Sequence, residues 1–331
     1  MSKEWLTRSV LGVALAAHIG ACATTTQEPL STSAAAAAAA NADANADANA
    51  DADADVVALR YAWPKGSAAA VEETVLKNGH TALERYRLRL VPVEGEPTLQ
   101  DVVIDQLEMV SIDGDPIDTD EERARMAPVQ QLAAAIPHVR IDEGGNVVDV
   151  VGTETMLETI VASRPEAERE QFRATMQGEA MKQIARAAGE KLWTGWVGGF
   201  NGLSVPPNEP VVAVTTLQGD AGPVDQETRY LLTKKGDHVV VEASTITPPA
   251  VARAVMLPMF KELIPATATR DEALAMLEQM QFDIRSTVTA ELDPSTLRPF
   301  HIVAHRVTRV TMPGKSEERV EDHDWKFSWQ N

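Results

Sequence analysis

In Ile284-Arg285-Ser286-Thr287-Val288-Thr289-Ala290-Glu291-Leu292, apolar and polar side chains alternate. In an extended chain Ile284, Ser286, Val288, Ala290 and Leu292 point one way. Arg285, Thr287, Thr289 and Glu291 point the other, the period-two pattern of a strand with one buried and one wet face. Asp293-Pro294-Ser295-Thr296 turns the chain into a second strand-like run over 300–310, and Pro313-Gly314-Lys315 turns it again. The last strand carries Trp325, Phe327 and Trp329 on one face. Strands joined by such turns form an antiparallel meander.

Upstream, 211–217, 228–233 and 238–244 also read as strands, the last two joined at Lys235-Gly236-Asp237, and helical pieces follow over 251–263 and 270–280. The front of the body repeats this order loosely. Strand-like runs at 57–63, 71–77, 82–93 and 99–112 include a hairpin at Asn78-Gly79, a dipeptide suited to a turn with two positive φ angles. A helix follows over 121–136 with Pro128 as a break, then a hairpin whose arms, 139–142 and 147–151, flank Glu143-Gly144-Gly145-Asn146. Helical sequence covers 153–192, with Ser163 as N-cap, Pro165 in a first turn, and Phe172, Met176, Ala180, Ile184 and Ala188 on one stripe. The expected class is α+β: antiparallel meanders flanking a helical middle, in a loose two-half pseudo-repeat.

The chain has 331 residues, 49 acidic and 30 basic, for a net charge of −19. That balance argues against a nucleic-acid partner, because phosphate backbones are bound by clustered Lys and Arg. Positions 1–21 begin with Lys3 and Arg8 and continue with a short apolar run, Val10 to Ala17, too short to span a bilayer. Ile19-Gly20-Ala21 then precede Cys22, the single cysteine. One cysteine excludes an intramolecular disulfide framework and a Cys-cluster metal site.

The segment Ile19-Gly20-Ala21-Cys22 resembles the lipobox of bacterial lipoproteins. The resemblance implies that residues 1–21 are a signal peptide, removed before Cys22, and that the new N-terminal cysteine carries two or three acyl chains. At about 0.8 kcal/mol per buried CH₂, several chains anchor stably where one does not. In that family Ala23, rather than Asp, after the cysteine implies the outer membrane. From 22 to 55 the chain is Thr, Ala, Asn and Asp, with seven consecutive alanines and six negative charges. It has too little to bury to offset its conformational entropy, and reads as a tether with an r.m.s. reach of about 30 Å.

Residues 56–331 remain as one globular body with 42 acidic and 28 basic side chains. It resembles the large, functionally uncharacterised envelope lipoproteins of bacteria in its opening Leu59-Arg60-Tyr61-Ala62-Trp63-Pro64-Lys65-Gly66 and in its terminal hairpin about Asp293. No catalytic residue comes with that resemblance.

Linear catalytic signatures are absent: there is no Gly-x-Ser-x-Gly, His-Glu-x-x-His, Walker or dinucleotide pattern. His301 and His305 lie about 13 Å apart along a strand, too far for one ion, and read as flank histidines. In Glu321-Asp322-His323-Asp324, alternation separates neighbours, as on a solvated edge strand. No metal and no cofactor is expected. Methionines concentrate in the predicted helices, and an apolar pocket between helices and sheet would be lined by Trp193, Met256, Met259 and Phe260. The expectation is a membrane-anchored, non-enzymatic envelope lipoprotein that binds an apolar ligand or an envelope protein. The alternatives are an envelope hydrolase whose Asp, Glu and His gather only in space, and a structural scaffold.

Overall fold

A computed structural model describes residues 56–176, 189–219, 222–252, 279–312 and 315–330, with Arg186 and Ala275 in addition. The signal segment, Cys22, the tether, Met256, Met259 and Phe260 lie outside the described residues. So do most of the helical pieces expected over 251–263 and 270–280.

Fourteen strands are described. β1 is Val57–Ala58, β2 Ala68–Lys77, β3 His80–Val93, β4 Glu96–Ile112, β5 Asp115–Pro116, β6 His138–Ile141 and β7 Val147–Val151. β8 is Ser204–Val205, β9 Pro210–Gly219, β10 Gly222–Lys235, β11 His238–Thr247, β12 Gln281–Leu292, β13 Pro299–Met312 and β14 Lys315–Gln330. β1 pairs with β8; the rest form one twelve-stranded antiparallel sheet in the order β7-β6-β4-β3-β2-β14-β13-β12-β11-β10-β9, with β5 on β4.

This corrects the α+β expectation of meanders flanking a helical middle. The two meanders are halves of a single sheet, because β14 pairs with β2 over ten residue pairs, from Glu321 opposite Lys77 to Gln330 opposite Ala68. The first strand of one half thus meets the last strand of the other, so the halves are not stacked as equivalent repeats. The described helices are short insertions: Asp120–Ala133, Thr153–Ala162 and Glu166–Met176, then a π-helical turn at Thr194–Gly198. The helix Asp120–Ala133 runs through Pro128. It begins with a capping box, in which the Glu122 N–H donates to Thr119 Oγ1 (3.2 Å) and the Thr119 N–H to Glu122 Oε2 (3.1 Å). Ser163 closes Thr153–Ala162 rather than opening the next helix.

Local turn chemistry follows the sequence more closely. Asn78 and Gly79 both have positive φ, 53° and 82°, and join β2 to β3 as a tight hairpin. Along β2, Ala69, Val71, Glu73 and Val75 are buried, and along β3 Ala82, Glu84, Tyr86, Leu88 and Leu90. These alternate residues define the inner face. The outer face carries ion pairs between strands, among them Arg85–Glu72 and Arg140–Asp101 on neighbouring strands and Lys235–Glu291 across β11. A sheet with water on one side needs this division, apolar within and charged without.

The main core lies against one end of the inner face. There the opening segment, the π-helical turn and its exit bring Leu59, Tyr61, Trp63, Trp193, Trp196 and Phe200 onto Tyr86, Trp325, Phe327 and Trp329. Trp63 meets Trp329 edge-on at 4.6 Å and Trp193 at 5.3 Å, the crossed geometry that aromatic quadrupoles favour. The Trp193 indole N–H donates to the Gly145 carbonyl at 2.8 Å. Helix Thr153–Ala162 instead buries Met156, Leu157, Ile160 and Val161 in a separate cluster against Ala135 and Phe172.

Candidate functional site

Period-two alternation places Glu73 and Lys77 of β2, Glu84 and Tyr86 of β3, and Glu321, His323 and Trp325 of β14 on the inner face. Register then gathers them. Glu73 is opposite Glu84 across β2 and β3, while Glu321 is opposite Lys77 and His323 opposite Val75 across β14 and β2. The His323 Nδ1 lies 2.8 Å from Glu73 Oε1 and its Nε2 3.4 Å from Glu321 Oε1. Lys77 Nζ donates to Glu321 Oε1 at 3.1 Å, and the Tyr86 hydroxyl donates to Glu73 Oε2 at 3.1 Å. The imidazole stacks on Trp325, 4.8 Å between ring centroids and 8° from parallel.

Burial and pairing compete for each proton. Burial pushes the His323 imidazolium toward losing its proton, but hydrogen bonds and charge from Glu321 and Glu73 prevail and raise it to about 9. Burial raises Glu321, yet His323, Lys77 and Lys191 bring it down to about 2. Glu84 has no such support. Burial and the neighbouring Glu73 raise it to about 8 against the pull of His323, so at neutral pH it is a carboxylic acid. With His323 protonated, Nδ1–H and Nε2–H both donate, one to each flanking carboxylate.

The site resembles a proton-holding cluster, but Glu84 is 1% exposed and Glu73 4%. The open depression along Glu154, Thr155, Glu158, Thr159 and Ala162 involves none of these residues. Among the described residues no group of three or more His, Cys, Asp or Glu could hold a metal ion. His301 and His305 project from the outer face of β13, the first 2.9 Å from Asp324 and the second paired with Asp322.

A second feature crosses the inner face of the other half of the sheet. Val211, Tyr230, Ala243, Val288 and Ala304, on β9 to β13, are register neighbours in one row that ends at His323. The adjacent row is polar: Thr228, Thr245, Ser286, Arg306, Glu321 and Lys77. All are half-buried. Thr228 and Thr245 share a hydroxyl hydrogen bond of 2.9 Å.

Of the expected ligand-lining residues, Trp193 is described. It is 1% exposed and packs inside the aromatic cluster between Tyr61 and Trp63. Sequence reading missed the His323 cluster altogether. Alternation does set Glu321 and His323 apart from Asp322 and Asp324, but β14 is a central strand, not an edge, so one of its faces is buried.

No protein-family model and no curated protein matches the chain. Among solved structures it is similar to one of lipovitellin, determined for its lipid–protein interactions. The TM-score is 0.37 and the identity 10%, over 81% of this chain and 25% of that one. It thus spans a quarter of that lipovitellin chain. It is also similar to a porin-like protein from Bacteroides uniformis, at a TM-score of 0.17 and 9% identity over 81% of this chain and 100% of that one. At these scores neither likeness defines the fold or the function of this chain. No described helix is long and apolar enough to cross a membrane.

Proposed function

We propose that the chain is a cell-envelope lipoprotein, anchored through acyl chains on Cys22 in the outer membrane, whose sheet holds an apolar ligand without chemically altering it. The anchor rests on the lipobox, and the tether of residues 22–55 would let the body work away from the bilayer. The observation that carries the binding reading is the pair of adjacent inner-face rows on β9 to β14. Small apolar side chains, Ala243, Val288 and Ala304, make one half-buried row at the border of the core, which would take the ligand's apolar part, and hydroxyls and charges on the next would receive a polar head. Ligand sites commonly join a broad apolar wall to a few polar groups in this way.

The test is purification of the Cys22→Ser chain without detergent, followed by solvent extraction and mass spectrometry. An apolar molecule recovered in proportion to protein supports the reading; native mass spectra showing neither lipid nor protein bound overturn it. Cys22→Ser should also release the chain from membranes, and unchanged fractionation with normal processing would refute the anchor.

One observation favours a hydrolase instead: Glu73, Glu84, His323 and Glu321 do gather in space, as a motif-less site requires. Their burial argues against it. A general base must reach the proton it abstracts, and Glu73 and Glu84 are almost fully buried, at 4% and 1% exposure. Hydrolysis of an ester or glycoside lost specifically in Glu73→Gln would reverse this ranking.

A further inference from the structure

The two edges of the sheet are finished differently. β7 spans five residues, carries Asp149 paired with Arg186, and is packed at Val150 by Gly189. β9, at the other edge, is twice as long and pairs among the described residues only with β10, in unbroken register from Pro210 opposite Leu231 to Gly219 opposite Gly222. Its sequence, Pro-Val-Val-Ala-Val-Thr-Thr-Leu-Gln-Gly, has no charge. Natural edge strands are usually protected by charges, bulges, short length or a covering element, because their free N–H and C=O groups otherwise accept another strand. Apart from Pro210 at its first position, β9 has none of these among the described residues. Its outer face also exposes Val212 (48%) and Val214 (41%), with Ile246 (63%) two strands further in on β11, level with Val214 across Glu227.

We infer that β9 is a self-pairing edge: two copies of this chain join through antiparallel β9–β9 contact about a two-fold axis, making one sheet continuous across both. Three observations choose a second copy as the occupant. The strand offers no charge by which to select a foreign charged segment, and it places only uncharged residues opposite its own. The valine patch lies beside the axis on one face, so a two-fold rotation joins the two patches, as an isologous interface requires. Glu209 immediately precedes β9 at the far end of the strand from its axis, and the exposed acids of the neighbouring strand β10 are Asp225 and Glu227. Across the joint they stand three strand spacings from their copies, about 14 Å. That is beyond the Debye length of about 8 Å at physiological salt, so the acidic bodies do not repel strongly there.

The experiment is sedimentation equilibrium on the full chain carrying Cys22→Ser, beside the same chain with Val214→Lys, Val212→Lys or Val148→Lys, the last on the β7 edge. The expected mass is about twice the 35.7 kDa of one chain, falling to a single chain in Val214→Lys and Val212→Lys and unchanged in Val148→Lys. Circular dichroism should show the same strand signal in all four, and two variants on β9 guard against one failing to fold. A single-chain mass in the parent, or a dimer that survives both β9 lysines, overturns the proposal. Neither result touches ligand binding, which is read by extraction.

Discussion

Glu84 and Glu73 face each other as direct register partners on adjacent strands, both buried on the inner side of the sheet. They coexist there because Glu84 keeps its proton and Glu73 is satisfied by Tyr86 and His323. That arrangement makes the fold sensitive to pH.

The carboxyl of Glu84 is raised in the folded chain to about 8 from a usual 4.5. The unfolded chain therefore releases this proton at lower pH than the folded one, and stability falls as pH rises from 4.5 to 8. Each unit is about 1.4 kcal/mol, so the loss is on the order of 3–5 kcal/mol. Glu84→Gln should flatten this decline in urea unfolding measured at pH 5 and pH 8; an undiminished slope would count against the assignment.

His323 acts over a higher window. Its folded value, about 9, exceeds the usual 6.5, so its pairing stabilises fully below 6.5 and is lost as pH rises through 9. His323→Ala removes the cation between two buried carboxylates and should cost about 3 kcal/mol near pH 6. The gap from the parent should narrow toward pH 9.5, and a gap independent of pH would refute the charged pairing.

Gly145 has φ +77°, and a Cβ there would lie 2.5 Å from the Tyr61 ring. Gly95 has a similar φ of +79° with nothing within 4 Å. Gly145→Ala should therefore destabilise by about 2–4 kcal/mol, against about 1 kcal/mol for Gly95→Ala. Thermal unfolding of both separates steric contact from backbone strain, and equal losses would show that Tyr61 yields freely.

Ala243→Phe places a ring on the half-buried apolar row, at the border of the aromatic core. If that row holds the ligand, extractable ligand should fall about tenfold, equivalent to 1.4 kcal/mol of binding, while the melting temperature holds. Full retention of ligand would move the site elsewhere.

Much of the strand content is legible locally because side-chain alternation and turn residues act over a few positions. The Ile284–Leu292 pattern and Asn78-Gly79 both emerge as read: Ile284, Ala290 and Leu292 are buried and Arg285 is exposed. The pairing of β14 with β2 is not legible, since nothing in Trp325 or Glu73 alone names a partner 250 positions away, the separation of His323 from Glu73. The candidate cluster was lost for the same reason. Its acids and histidine look like solvated surface until the neighbours of β14 are known. The helical middle is not legible as a minor insertion, because good helix-forming sequence at 153–192 says nothing of how much sheet surrounds it.

The placement of β14 also sets an order of events. During synthesis or export β2 emerges early and β14 after every other described strand, so the free edge of β2 must wait unpaired while more than two hundred residues are delivered. Only then can the halves zip together, a long-range closure of the slow kind. Loss of β14 would divide the sheet in two rather than trim its edge, which makes translation through Trp329 a checkpoint for the whole sheet.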